Sequence, residues 1–104
     1  MEVTESEARD ARVILVAFFG QSAANWSIND RVIELIGEML TKNRKCAEAM
    51  DLVPRPGFVD KNYIKRQLRN LAMRIVSGEK SYRICELFIA EGWKSKIYLA
   101  SLGI

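Results

Sequence analysis

The sequence predicts an all-α fold, a single compact domain of about five helices packed as an orthogonal or mixed-angle bundle, and three observations lead there. Apolar residues recur at three- and four-residue spacing along most of the chain. Capping and breaking residues punctuate those stretches where helices should start and stop. The one run that could be a buried strand, residues 13–19, has no partner strand elsewhere in the sequence. At 104 residues the chain should bury roughly two-thirds of the surface it exposes when unfolded, enough for one core and no second.

The first helix is set by Thr4 and Glu7, spaced as a capping box in which each side chain satisfies a backbone amide at the other's end of the first turn. It should run through Ala8, Ala11 and the apolar block to Gly20, and a helix apolar on all sides should be buried on all sides. Residues 21–29 form a polar connection in which Trp26 pins the loop to the core. Ser27 or Asn29 can cap the second helix, whose stripe runs Val32, Ile33, Leu35, Ile36, Met39, Leu40, Cys46, Ala47 and Met50. Asp30, Glu34 and Glu38 lie early in it and Lys42, Arg44 and Lys45 late, in the order that suits the helix dipole.

Pro54, Pro56 and Gly57 then stop the helix and form an elbow over residues 53–59. The P-x-P spacing fits a rigid turn better than a proline-recognition ligand. Asp60 caps a third helix from Lys61 to about Val76, with Ile64, Leu68, Leu71, Ala72 and Ile75 inward and Ser77 and Gly78 ending it. Ser81 should cap a fourth helix to about Ala90, with Ile84, Cys85, Leu87 and Phe88 inward. A tight turn at Glu91, Gly92 and Trp93 leads to a last short helix that carries Ile97, Leu99 and Leu102 to the terminus.

Charge divides this single domain, residues 1–104, into two halves. Residues 1–52 hold six basic and nine acidic side chains, and residues 53–104 hold ten and four, so the halves stand at −3 and +6. The excess gathers on the third helix. Lys61, Lys65, Arg66, Arg69 and Arg74 spread over the face opposite its apolar stripe, with no Asp or Glu between Lys61 and Ser77. Like charges on one helix repel unless something acidic lies opposite. That could be Glu34, Glu38, Glu48 or Asp51 of the second helix, or a partner. Lys80, Arg83, Lys94 and Lys96 extend the same surface.

Other chemistry has little to stand on. The chain has no histidine, which removes the commonest general base and metal ligand. Cys46 and Cys85 are isolated, so neither a metal centre nor a disulfide is expected, and they read as buried thiols in a reducing compartment. Glu34 and Glu38 share a helical face but sit as solvated acids, and no nucleophile elbow, phosphate loop or dinucleotide fingerprint occurs. The acidic leading residues Glu2, Glu5, Glu7 and Asp10 argue against a secretory signal, and the apolar block is too short to span a membrane. A cytoplasmic protein is expected, in which the sequon at Asn25 to Ser27 has no meaning. The third helix, lacking Trp or Phe on its apolar face, is a poor membrane binder.

The expected function is therefore that of a small non-enzymatic regulatory protein, without cofactor, metal or small-molecule substrate. It would bind an acidic partner, nucleic acid first, through the basic face of the third helix. Reversing Lys65 and Arg69 to Glu should then abolish binding and leave the thermal midpoint nearly unchanged. A helix-turn-helix with Gly92 in its turn and Lys94, Ser95 and Lys96 opening a reading helix fits poorly, since Phe88 stands where a close crossing wants a small residue. Asn70 and Arg74 could reach base edges from the third helix. Tyr63, Tyr82, Trp93 and Tyr98 could stack on RNA bases but fit core and rim packing better. The alternative is a protein-binding modulator, such as an immunity protein, an antitoxin or an inhibitor or adaptor of a host complex. It would dock an acidic protein through that face or an exposed apolar seam beside it.

Overall fold

The computed structural model describes residues 3–42, 61–80 and 91–104. Among the described residues there are four α-helices, a 3-10 turn and no strand: α1 (Glu5–Phe19), the turn (Gln21–Asn25), α2 (Asp30–Lys42), α3 (Lys61–Val76) and α4 (Glu91–Ser101). The described elements are all helical, and the radius of gyration, 12.5 Å, matches the value of about 13 Å for one compact unit of this length. The expected helix over residues 81–90, the elbow at 53–59, both cysteines and the end of the second helix beyond Lys42 lie outside the described residues.

Thr4 caps α1 from extended backbone, its Oγ1 accepting the Glu7 amide at 3.1 Å. The reciprocal half of the capping box is replaced, because the Glu7 carboxylate turns to Lys65 of α3. Gly20 ends α1 at φ +90, a conformation that strains any residue with a Cβ, and its amide bonds the Val16 carbonyl. Asn29, not Ser27, caps α2. Its Oδ1 accepts the Val32 amide at 2.9 Å while its Nδ2 donates to the Ala100 carbonyl at 2.9 Å. One side chain thus starts α2 and ties it to the end of α4.

Val32, Ile33, Leu35, Ile36, Met39 and Leu40 of α2 are all buried. They form the centre of the core with Ala11, Ile14 and Leu15 of α1, Ile64, Leu68, Leu71 and Ala72 of α3, and Ile97 and Ala100 of α4. The crossing of α2 and α3 is close. A Cβ placed on Gly37 would come within 2.8 to 3.1 Å of three atoms of the Ile64 side chain. Past Val76, Gly78 at φ +94 closes α3, with Gly78 N bonding Ile75 O and Glu79 N bonding Arg74 O. The same pair of bonds ends α4 around Gly103.

Two expectations are corrected. Glu91, Gly92 and Trp93 belong to α4 and are not a turn before it. On α4, Ile97 is buried, whereas Leu99 and Leu102 are 44% and 56% exposed. At 100° per residue they lie 200° and 140° from buried Ile97, so the three cannot share a face. Last, α1 is not buried on all sides: Ala11, Ile14 and Leu15 enter the core, whereas Val13, Val16 and Ala17 stay partly exposed.

Candidate functional site

The basic residues of α3 do not form one uninterrupted free face. The α3 helix packs against α1, and this contact draws Lys65 in. Lys65 Nζ lies 2.9 Å from Glu7 Oε2, with the two side chains only 17% and 24% exposed. That oxygen makes no well-aligned hydrogen bond, so the attraction is mainly Coulombic. Arg69 remains exposed and donates to Ser6 Oγ at 3.3 Å. Arg74 forms a two-pronged pair with Glu79, Nε to Oε2 at 2.8 Å and Nη2 to Oε1 at 2.6 Å. Arg66 and Lys80 are exposed and form no ion pair with any described residue, while Lys61 opens α3.

Among the described residues, the acids that meet the α3 cations are not Glu34 or Glu38. Glu7 of α1 and Glu79 just beyond α3 meet the cations, whereas Glu34 of α2 pairs with Arg31 at 3.6 Å. Glu48, Asp51 and Arg83 lie outside the described residues.

Lys94 and Lys96 sit on α4, apart from the α3 cations. Lys96 Nζ is 5.0 Å from the Trp93 ring centre and Lys42 Nζ of α2 is 5.8 Å from it, so the protein's own ammonium groups attend that ring. Trp93 also packs against the core. The expected role of Trp26 as a loop anchor holds: it is buried, with its centroid 6.0 Å from Phe19 and 5.3 Å from Tyr98. Because Gly92 is helical, Lys94, Ser95 and Lys96 do not open a reading helix after a glycine turn.

A second feature was not singled out by the sequence reading. On α1, Arg9, Val13 and Val16 fall roughly opposite Ala11 at 100° per residue, so the helix has an apolar back as well as an apolar core face. The back opens on an apolar groove of about 450 Å³. Val13, Val16 and Ala17 of α1, Ala24 of the 3-10 turn and Ile75 of α3 form its walls, and Arg9, Arg12 and Gln21 its polar lining.

Among the described residues, no carboxylate lines this groove. Arg12 is held in place by donating from Nη2 to the Trp26 carbonyl at 3.2 Å, and its Nε is buried without a hydrogen-bond partner. Val13 and Ile75 also touch the core, whereas Val16 and Ala17 do not belong to that cluster. The signal was present in the sequence: two arginines at i and i+3 lead into a run too apolar for one helical face.

Among the described residues no helix is long and apolar enough to cross a membrane. Compared with protein-family models, with curated proteins and with solved structures, the chain gives no match. The groove and the exposed cations are therefore weighed on their own chemistry.

Proposed function

We propose that the chain is a small non-enzymatic interaction protein that binds an acidic partner, and that this partner is a protein. The carrying observation is the groove beside α3, apolar on its walls and lined, among the described residues, by two arginines and no acid. Protein contact surfaces combine a desolvated apolar centre with a polar rim, and a phosphate backbone has nothing to place against Val13, Val16 and Ile75. The mixed-angle, five-helix arrangement and the cytoplasmic setting remain part of the proposal.

Nucleic acid is the second reading, favoured by the exposure of Arg66, Arg69, Lys80 and Lys96. It is second because Lys65 and Arg74, two of the five α3 cations, already have internal acids. The expected Lys65 and Arg69 reversal must also change, since a Glu at 65 would face Glu7. Arg66 and Arg69 are the pair to reverse.

A photo-crosslinking side chain at Ala17 tests the reading in native extract, with and without nuclease. The expected result is a protein adduct that survives nuclease, disappears in Val16→Glu and persists in the Arg66→Glu, Arg69→Glu double variant. Capture that nuclease destroys, that Val16→Glu leaves intact and that the arginine reversals abolish would replace it with the nucleic-acid reading. In that case log K should fall by about 0.9 per duplex phosphate neutralised as log salt rises.

A further inference from the structure

We infer that the occupant of the α1 groove is an amphipathic helix from a partner protein, with its apolar stripe on Val13, Val16 and Ile75 and its own carboxylates on Arg9 and Arg12. This rests on the protein-binding reading above and adds the partner's chemistry and shape. The first ground is charge. Among the described residues the groove holds two guanidinium groups and no carboxylate, and neither arginine forms an ion pair with a described residue. Arg12 is positioned before anything binds, because the Trp26 carbonyl fixes one of its nitrogens. A pre-oriented guanidinium favours a carboxylate as its charge-assisted hydrogen-bond acceptor.

The second ground is form. The groove is an open trough walled by α1, α3 and the 3-10 turn, not an enclosed cavity. An enclosed cleft buries most of a small ligand, whereas an open trough between helices leaves one side wet and suits a long amphiphile. An extended peptide gains affinity from the free edge of a sheet, and the described residues contain no strand. A helix needs only an apolar trough and complementary ends, with anchors at i, i+3, i+4 and i+7. The small side chains of Ala17 and Ala24 in the lining leave room for the close approach of such a helix.

The third ground is that, among the described residues, the groove walls are not all part of the core. Val16 and Ala17 lie outside the core cluster, so their apolar character serves no contact within that cluster. They sit in mid-helix, where Glu, Lys or Gln would form helix equally well.

The test uses the full chain and three fluorescent lactam-constrained helical peptides, read by anisotropy. All carry leucines at i, i+4 and i+7, except a control with serine there; two carry flanking glutamates and one carries flanking lysines. The glutamate-leucine peptide should bind at least tenfold more tightly than either other peptide. Arg9→Glu should remove at least tenfold of that affinity and shift the preference toward the lysine peptide. Val16→Glu should abolish binding, with the circular dichroism spectrum unchanged in both variants. Equal binding of the glutamate and lysine peptides, or no effect of Arg9→Glu, overturns the inference. So does laurate saturating the groove and displacing the peptide, or sedimentation showing a dimer that Val16→Glu dissociates. If the peptides fail while Val16→Glu still removes the Ala17 adduct, the partner chemistry is wrong and the protein-binding reading stands. Loss of that adduct's dependence on Val16 overturns both.

Discussion

The α1 and α2 helices are both rich in large apolar residues, yet they use them differently. In α2 the polar positions Arg31, Glu34, Glu38 and Lys42 leave one apolar side, and that side is wholly consumed by the core. In α1 the apolar residues occupy two sides, and only Ala11, Ile14 and Leu15 are fully buried. Burial of an apolar face is worth roughly 25 cal/mol per Å², so both faces of α1 favour leaving water. The fold satisfies one of them. The comparison teaches that α2 is built for stability alone, while α1 also presents a surface that the fold leaves partly open.

The largest effects should fall where the two helices differ most. Ile36 of α2 is completely buried, so Ile36→Ala should cost about 2 to 5 kcal/mol in chemical denaturation, as should Leu68→Ala on α3. Val16→Ala on the back of α1 should cost under about 1 kcal/mol. Equal losses at Ile36 and Val16 would erase the distinction between the two helices.

Next in size is the close crossing of α2 on α3. Gly37→Val adds volume against three Ile64 atoms and should cost on the order of 2 to 3 kcal/mol. The additional change Ile64→Ala should recover part of the space while losing its own packing, so the two effects should be less than additive. Strict additivity in a double-mutant cycle would mean that the contact does not limit the approach of the helices.

Much of this was legible from local spacing. The stripes of α2 and α3, the Thr4 cap and the Gly78 stop each depend on residues within a turn or two of one another. What could not be read depends on which helix lies against which. The repulsion among the α3 cations correctly called for an acid, but only the packing of α3 on α1 selects Glu7 over Glu34. Gly92 was misread because a glycine after an acidic residue looks the same in a turn and in the first turn of a helix. The groove was missed because the apolar run on α1 was assigned wholly to the core, although its two faces are visible in the spacing of Ala11 and Val16.

Asn29→Ala comes third, at roughly 1 to 2 kcal/mol, since it removes both the α2 cap and the bond to the Ala100 carbonyl. Asn29→Asp should recover the cap and not the donor to Ala100. Its thermal midpoint should therefore lie between those of the wild type and Asn29→Ala, and a midpoint equal to that of the wild type would show that the tie to α4 contributes nothing.

The smallest effects separate the two kinds of cation on α3. Lys65→Glu would set a second carboxylate beside Glu7 in a site that is mostly out of solvent, and should cost about 1 to 2 kcal/mol. Arg66→Glu, one residue further on and exposed, should stay within about 0.5 kcal/mol of the wild type. The Glu7→Lys, Lys65→Glu exchange should restore most of the loss at 65, because it returns opposite charges to the same contact. If that exchange fails to recover stability, Lys65 matters through its apolar stem against α1 rather than through its charge. Its charge would then be counted with those of Arg66 and Lys80, the second reading would gain a cation, and the preference for the α1 groove would narrow.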